Sequence, residues 1–209
     1  MALGLTLVVW LALMGLGRRS GGSPADAEAV EPRRQRLAAD PVLSASTPDS
    51  VPEWLADKAE DAPTMMRVLV ETFGTRLRRS RPGGLVDRNW QKFRETGTIG
   101  GCVALALRLH VDVPKPMRTP VELAMRASLV LGIPEASSEY EECSAFLRES
   151  LLDVERPKRA RAVPVLIATW VCGLVGGEKA IRDEPQTIAE LAMLYESETT
   201  GYWVSAGLE

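Results

Sequence analysis

Large apolar side chains recur at three- and four-residue spacings through most of this 209-residue chain, which is the period of an α-helix. A helix with one apolar face needs other helices to cover that face. The pattern therefore predicts an all-α fold, a compact bundle or array of about six to eight helices over residues 50–197, followed by a tail at 198–209. The clearest stripes are Met66, Leu69, Val70, Phe73 and Leu77; Tyr140, Cys143, Phe146, Leu147, Leu151 and Val154; and Ile188, Leu191 and Tyr195.

Helix-start signals support the same prediction. A Ser, Thr or Asp followed three residues later by Glu or Gln can satisfy free backbone N–H groups at a helix start, which is the capping-box arrangement. We therefore expect helices to begin at each occurrence of this spacing. Glycines are expected to end one helix at Gly83-Gly84 and to close a short helix, capped by Asp87, at Gly97. The boxes lie at residues 50–53, 119–122, 138–141 and 183–186.

Two apolar segments need separate interpretation. Residues 103–113 alternate in the manner of a strand, but no second alternating run is available to pair with them. Leu and Ala also favour helices, so we interpret residues 98–110 as a mostly buried helix. Residues 162–177 contain no charged side chain, and a length of about sixteen residues suits a central core helix better than a membrane span.

The first residues, 2–16, carry no charged side chain and are followed by Arg18 and Arg19. As a helix, residues 2–17 would be about 24 Å long, against a hydrocarbon core of about 30 Å, a length typical of a signal peptide. The arginines follow the run instead of preceding it, which favours a single-pass anchor with the domain on the cytoplasmic side. Ala25-Asp26-Ala27 is a small-x-small cleavage pattern, so a secreted or lumenal protein cleaved near Ala27 is the alternative.

Composition limits the other possibilities. Residues 18–49 are rich in Gly, Ser, Pro, Ala and charge, which predicts a flexible tether between the membrane segment at 1–17 and the helical domain. A net charge of −3 argues against general nucleic-acid binding. The three cysteines are an odd number without a CxxC spacing, which does not suit a disulfide-stapled secreted module.

The sequence lacks the common hydrolase, nucleotide, dinucleotide and zinc-protease signatures. Cys102 lies in an apolar run that would raise the pKa of its thiol, and this favours a buried small hydrophobe over a nucleophile. His110 is the only histidine. We therefore predict no catalytic residue, cofactor or metal, and keep an enzyme of unrecognised type using Cys102 and His110 as an alternative.

Two basic clusters are candidates for contact with anionic lipid or with a phosphate-bearing partner. Each lies at an expected helix end, where arginine also suits the negative end of the helix dipole for structural reasons alone. Trp54 and Trp203 lie near the domain ends and are candidate interface aromatics. The clusters are Arg76, Arg78, Arg79 and Arg81, and Arg156, Lys158, Arg159 and Arg161.

Two glycine pairs have the spacing that lets helices approach closely, Gly97-xxx-Gly101 and Gly173-xxx-Gly177. With the features above, the leading expectation is a non-enzymatic, membrane-attached helical module. It would contact the membrane through residues 2–17, bind a protein partner as part of an assembly, and have no specific nucleic-acid partner.

Overall fold

The computed structural model of this protein describes residues 51–204, so the predicted membrane segment and tether lie outside the described residues. Within this range the chain forms seven α-helices and no strand, which confirms the all-α prediction and the expected number of helices. The helices are α1 (Glu53–Ser80), α2 (Leu85–Arg88), α3 (Trp90–Asp112), α4 (Lys115–Gly132), α5 (Ala136–Ser150), α6 (Arg156–Asp183) and α7 (Pro185–Thr199).

Helix α3 lies at the centre of the fold and contacts each of the other six helices. Every residue from Thr96 to Ala106 is buried, which confirms the predicted buried helix at 98–110. Because this segment is covered on all sides, it has no polar face, and its side-chain pattern does not distinguish a helix from a strand. The sequence signal that indicated a helix was therefore the absence of a second alternating segment with which a strand could pair.

Glycines on α3 let its neighbours approach closely. A Cβ atom at Gly97 would lie 2.9 Å from Val70 Cγ1 of α1, and one at Gly100 would lie 2.9 Å from Ile167 Cγ2 of α6. Tyr195 of α7 donates a hydrogen bond from its hydroxyl to the Gly97 carbonyl at 2.7 Å, and it is fully buried. The expectation that Gly97 ends a helix is wrong, because this glycine is a packing position inside α3.

Helix α6 contains the apolar segment at 162–177 and packs against both α3 and α7. All residues from Leu166 to Cys172 are buried, which confirms the predicted core packing. By length and composition, Lys158–Asp183 is also the one stretch of the described chain that could cross a membrane, a property shared by core helices of soluble proteins. Gly177 has φ 71° and ψ −172°, so it kinks α6 and is not part of a close-packed glycine pair.

The capping boxes at 50–53 and 183–186 lie at helix starts, since α1 begins at Glu53 and α7 at Pro185, but the other two boxes do not. Helix α4 begins at Lys115, ahead of Thr119, and α5 begins at Ala136, ahead of Ser138. None of the seven described helices has a side-chain hydrogen bond at its N-cap. Helices α4, α6 and α7 instead have proline in the first two positions, where its fixed φ suits a helix and its missing N–H costs nothing.

Candidate functional site

The first basic cluster is largely occupied by contacts inside the fold. Arg78 donates from Nε to Asp87 Oδ1 at 2.9 Å, and its guanidinium lies 5.1 Å from the centre of the Trp90 ring. Backbone N–H donation from Gly83, followed by the bond from Arg78, holds the pKa of Asp87 below its ordinary value. Arg78 therefore ties the end of α1 to α2.

Arg81 connects the same end of α1 to α7. Its guanidinium donates to Glu190 Oε1 at 2.6 Å and to the Thr187 hydroxyl at 2.9 Å. Arg76 approaches the other oxygen of Glu190, with 3.6 Å between Nη2 and Oε2. The carboxylate of Glu184 accepts from Thr187 at 2.8 Å and from the Leu85 backbone N–H at 3.3 Å. Three of the four arginines in this cluster are thus partnered within the protein.

The outer face of α1 carries an open depression of about 800 Å³. Its lining residues are spaced three and four apart, so they share one face of the helix. Val68 is 55% exposed there, and Arg79, also exposed, forms no ion pair with the described residues. We call this surface the α1 face. It consists of Val68, Glu71, Thr72, Thr75, Arg76, Arg79 and Ser80.

Of the α1 face, only Arg76 and Arg79 belong to a cluster that is recognisable in the sequence. Val68, Thr72 and Thr75 belong to no motif, and a single valine among hydroxyl side chains resembles any solvated helix face. The only available signal was their spacing on the side of α1 opposite the apolar stripe. Such a signal describes every amphipathic helix equally well.

The second basic cluster lies at the start of α6, and all four of its side chains are exposed. Lys158 pairs with Glu155 at 2.6 Å, and Arg159 donates from Nε to the Val154 carbonyl at 2.9 Å. Arg156 and Arg161 form no ion pair with the described residues. We expected these cations at the negative end of a helix dipole. They lie at the positive end of α6, where cations do not stabilise the helix, so the structural explanation for them is wrong.

Cys102 and His110 are not brought together. Cys102 has no exposed surface, and burial raises the pKa of its thiol. His110 is exposed on the same helix, about 12 Å further along the axis at 1.5 Å per residue. Its Nδ1 atom lies 3.5 Å from Nη1 of Arg118. Residues 51–204 hold no group of three His, Cys, Asp or Glu side chains that could bind a metal ion.

The two tryptophans proposed as interface aromatics differ in exposure. Trp203 is fully buried and donates from Nε1 to the Leu105 carbonyl at 2.9 Å, so it is a core residue with no surface to offer a partner. Trp54 is partly buried and packs against the core, near the start of α1. Burial of Trp203 could not be read from its position among the last residues of the chain.

Comparison of the chain with protein-family models, with characterised proteins and with solved structures found no significant match. The structural basis for a functional proposal is therefore the α1 face and the exposed cluster at the start of α6.

Proposed function

We propose that this chain is a membrane-attached helical module that binds a protein partner through the α1 face. The observation that carries the proposal is that Val68 and Arg79, about 16 Å apart along the helix axis, are both exposed on one open face of a long, well-packed helix. Arginine is enriched in protein interfaces, and burial of an exposed aliphatic side chain would favour association. Membrane attachment is supported by the uncharged run at residues 2–16 and the arginines that follow it.

A binding role agrees better with the described residues than an enzyme does. The α1 face carries hydroxyl and guanidinium groups, and its one carboxylate, Glu71, is paired with Arg94 at 3.4 Å. The cysteine considered as a nucleophile is enclosed in the core.

Membrane attachment is tested by alkaline carbonate extraction of the full-length chain from cells. We expect the protein to stay with the lipid and to be digested when protease is added to the cytoplasmic face. Release by carbonate, or a mature N-terminus at Glu28, would support the secreted or lumenal alternative and contradict the anchor. Protection from cytoplasmic protease until the membrane is dissolved would contradict the orientation.

Partner binding is tested with a photo-crosslinking amino acid placed at Val68. The matched control position is Glu149, which is exposed on α5. We expect a discrete protein adduct from position 68 that is absent from position 149 and that weakens in the Arg79→Glu variant. The same adducts from both positions, or an adduct indifferent to Arg79→Glu, would contradict binding through the α1 face.

A further inference from the structure

We propose that the exposed cluster at the start of α6 is a contact surface for anionic lipid head groups, so that the helical domain lies against the membrane to which it is attached. The inference rests on the proposed membrane attachment and adds a second, electrostatic contact to it. We call this contact region the α6 basic surface. It consists of Leu152, Arg156, Lys158, Arg159, Arg161 and Val165.

The basic side chains of the two clusters differ in how firmly they are paired with carboxylates of the protein. In the first, Arg78 and Arg81 are each within 2.9 Å of a carboxylate oxygen on another element, and their side chains are 40% and 30% exposed. In the second, the ion pair is between Lys158 and Glu155, neighbours on the surface with 70% and 69% of their side chains exposed. An exposed pair of this kind is weak, so Lys158 can exchange its partner for another anion.

The α6 basic surface includes one face of α6 and the turn that precedes the helix. Lys158, Arg161 and Val165 are spaced three and four residues apart and therefore share one face of α6. Arg159 is bonded to the Val154 carbonyl, which joins the cluster to the turn that carries Leu152. Leu152 is 74% exposed and Val165 is 40% exposed. Exposed aliphatic side chains thus precede and follow the cations along the chain.

Cations with exposed aliphatic side chains near them are chemically complementary to the head-group region of a bilayer. Cations attract anionic head groups, while aliphatic side chains can enter the boundary with the acyl chains. Long arginine and lysine side chains can reach phosphate while their stems remain on apolar surface. Nearby acidic side chains, Asp153 and Glu155, are outnumbered by the four cations.

The dipole of α6 does not account for these cations. They occupy the end of the helix where the dipole is positive, and there a basic side chain is unfavourable. Helix-end stabilisation, the explanation expected from the sequence, therefore does not apply to them. An acidic protein is the other class of partner that could bind them. The exposed aliphatic residues and the membrane segment at 2–16 favour lipid.

The experiment compares hydrogen exchange of the full-length chain in nanodiscs of phosphatidylcholine alone and of phosphatidylcholine with phosphatidylserine. We expect amides of residues 151–162 to exchange about fivefold more slowly when phosphatidylserine is present. The protection should fall as salt is raised, because anionic surface potential is screened within a Debye length. Amides at 68–80 on α1 serve as the internal reference.

The test variant is Lys158→Glu with Arg161→Glu, and the matched control is Arg182→Glu, an exposed arginine near the end of the same helix. The test variant should lose the phosphatidylserine-dependent protection, whereas the control should keep it. Retained protection of α3 amides in both proteins shows that the fold is intact.

Four results overturn the inference. Equal exchange in both discs, or lipid-dependent protection that survives the double charge reversal, excludes contact through the α6 basic surface while leaving membrane attachment standing. Protection by soluble polyglutamate but not by phosphatidylserine would assign the surface to an acidic protein. Failure of the chain to enter discs of either composition would overturn membrane attachment and this inference with it.

Discussion

Gly100 decides how closely α6 can pack against α3. A Cβ atom at this position would lie 2.9 Å from Ile167 Cγ2 and 3.0 Å from Val171 Cγ2. Both neighbours are β-branched and stiff, so neither can rotate away cheaply. We expect Gly100→Val to lower the free energy of unfolding by about 3 kcal/mol through overpacking.

Chemical denaturation followed by far-UV circular dichroism measures this change. The control is Gly132→Val at the end of α4, where the nearest atom to a new Cβ is Arg67 Nη1 at 4.0 Å. The control should change stability by less than about 0.5 kcal/mol. Equal effects at the two positions would show that helix propensity, not packing, sets the cost.

Glu139 is a carboxylate partly enclosed between α5 and α3, where it accepts a hydrogen bond from the Thr96 hydroxyl at 3.4 Å. Burial, followed by the negative charge of Glu142, raises its pKa above the ordinary value of 4.5, although Lys92 opposes the shift. The folded protein therefore holds this proton more tightly than the unfolded chain does. The stability associated with the protonated carboxyl group of Glu139 is fully present at low pH. It is lost as the pH rises through the raised pKa and the buried group ionises.

Glu139→Gln should therefore be more stable than the natural chain at pH 7, and the difference should shrink below pH 4.5, where the carboxyl group is protonated in both states. Urea denaturation at pH 4 and pH 7 measures it. Glu149→Gln, on the exposed side of the same helix, should show no comparable pH dependence. A constant difference for Glu139→Gln at both pH values would contradict the assigned cause.

At the scale of elements, the contact between α1 and α7 depends on the pair Arg81–Glu190. The two side chains are 30% and 27% exposed, so solvent screens part of their attraction. A double-mutant cycle with alanine at both positions should give a coupling of about 1 kcal/mol that decreases with added salt. The exposed pair Lys158–Glu155 is the matched control, and its coupling should be near zero. Equal couplings would show that the pair does not hold the two helices.

The kink in α6 depends on backbone freedom at Gly177. Its φ of 71° with ψ of −172° lies in a region that is essentially restricted to glycine. No atom lies within 4 Å of a Cβ at this position, so a substitution would act through the backbone alone. Gly177→Ala should cost about 1–3 kcal/mol in thermal or chemical unfolding. A neutral result would mean that α6 can continue straight without loss.

At the scale of the whole molecule, the residues after α7 close the fold. Trp203 packs in the core and bonds to Leu105 of the central helix, and the Tyr202 hydroxyl donates to the Lys58 carbonyl at 3.0 Å. A chain ended after Thr199 should lose about 3–5 kcal/mol of stability, the cost of removing a buried aromatic side chain. A chain ended after Val204 keeps these contacts and is the control. Equal stability of the two truncated chains would contradict a structural role for Trp203.

The spacing and helix propensity of neighbouring side chains were sufficient to predict the helical class, because both act over a few residues. For α3 the absence of a second alternating run was needed as well. Local pattern was misleading at the starts of α4 and α5. A capping box and a proline at the first turn are both local signals of a helix start. Helix α4 begins next to Pro116 and not at Thr119. The burial of Trp203 was likewise not predictable from its position near the end of the chain.

The α1 face was only partly predictable, since Val68 and its neighbouring threonines have no distinctive spacing of their own. The amino-acid sequence by itself determined that this protein is helical, that the segment at 98–110 is enclosed, and that an uncharged run stands at its beginning. Only the tertiary structure decided which arginines remain available to a partner. Arg81 is neutralised by Glu190, 109 residues away along the chain, and such a pairing exists only after the helices have packed.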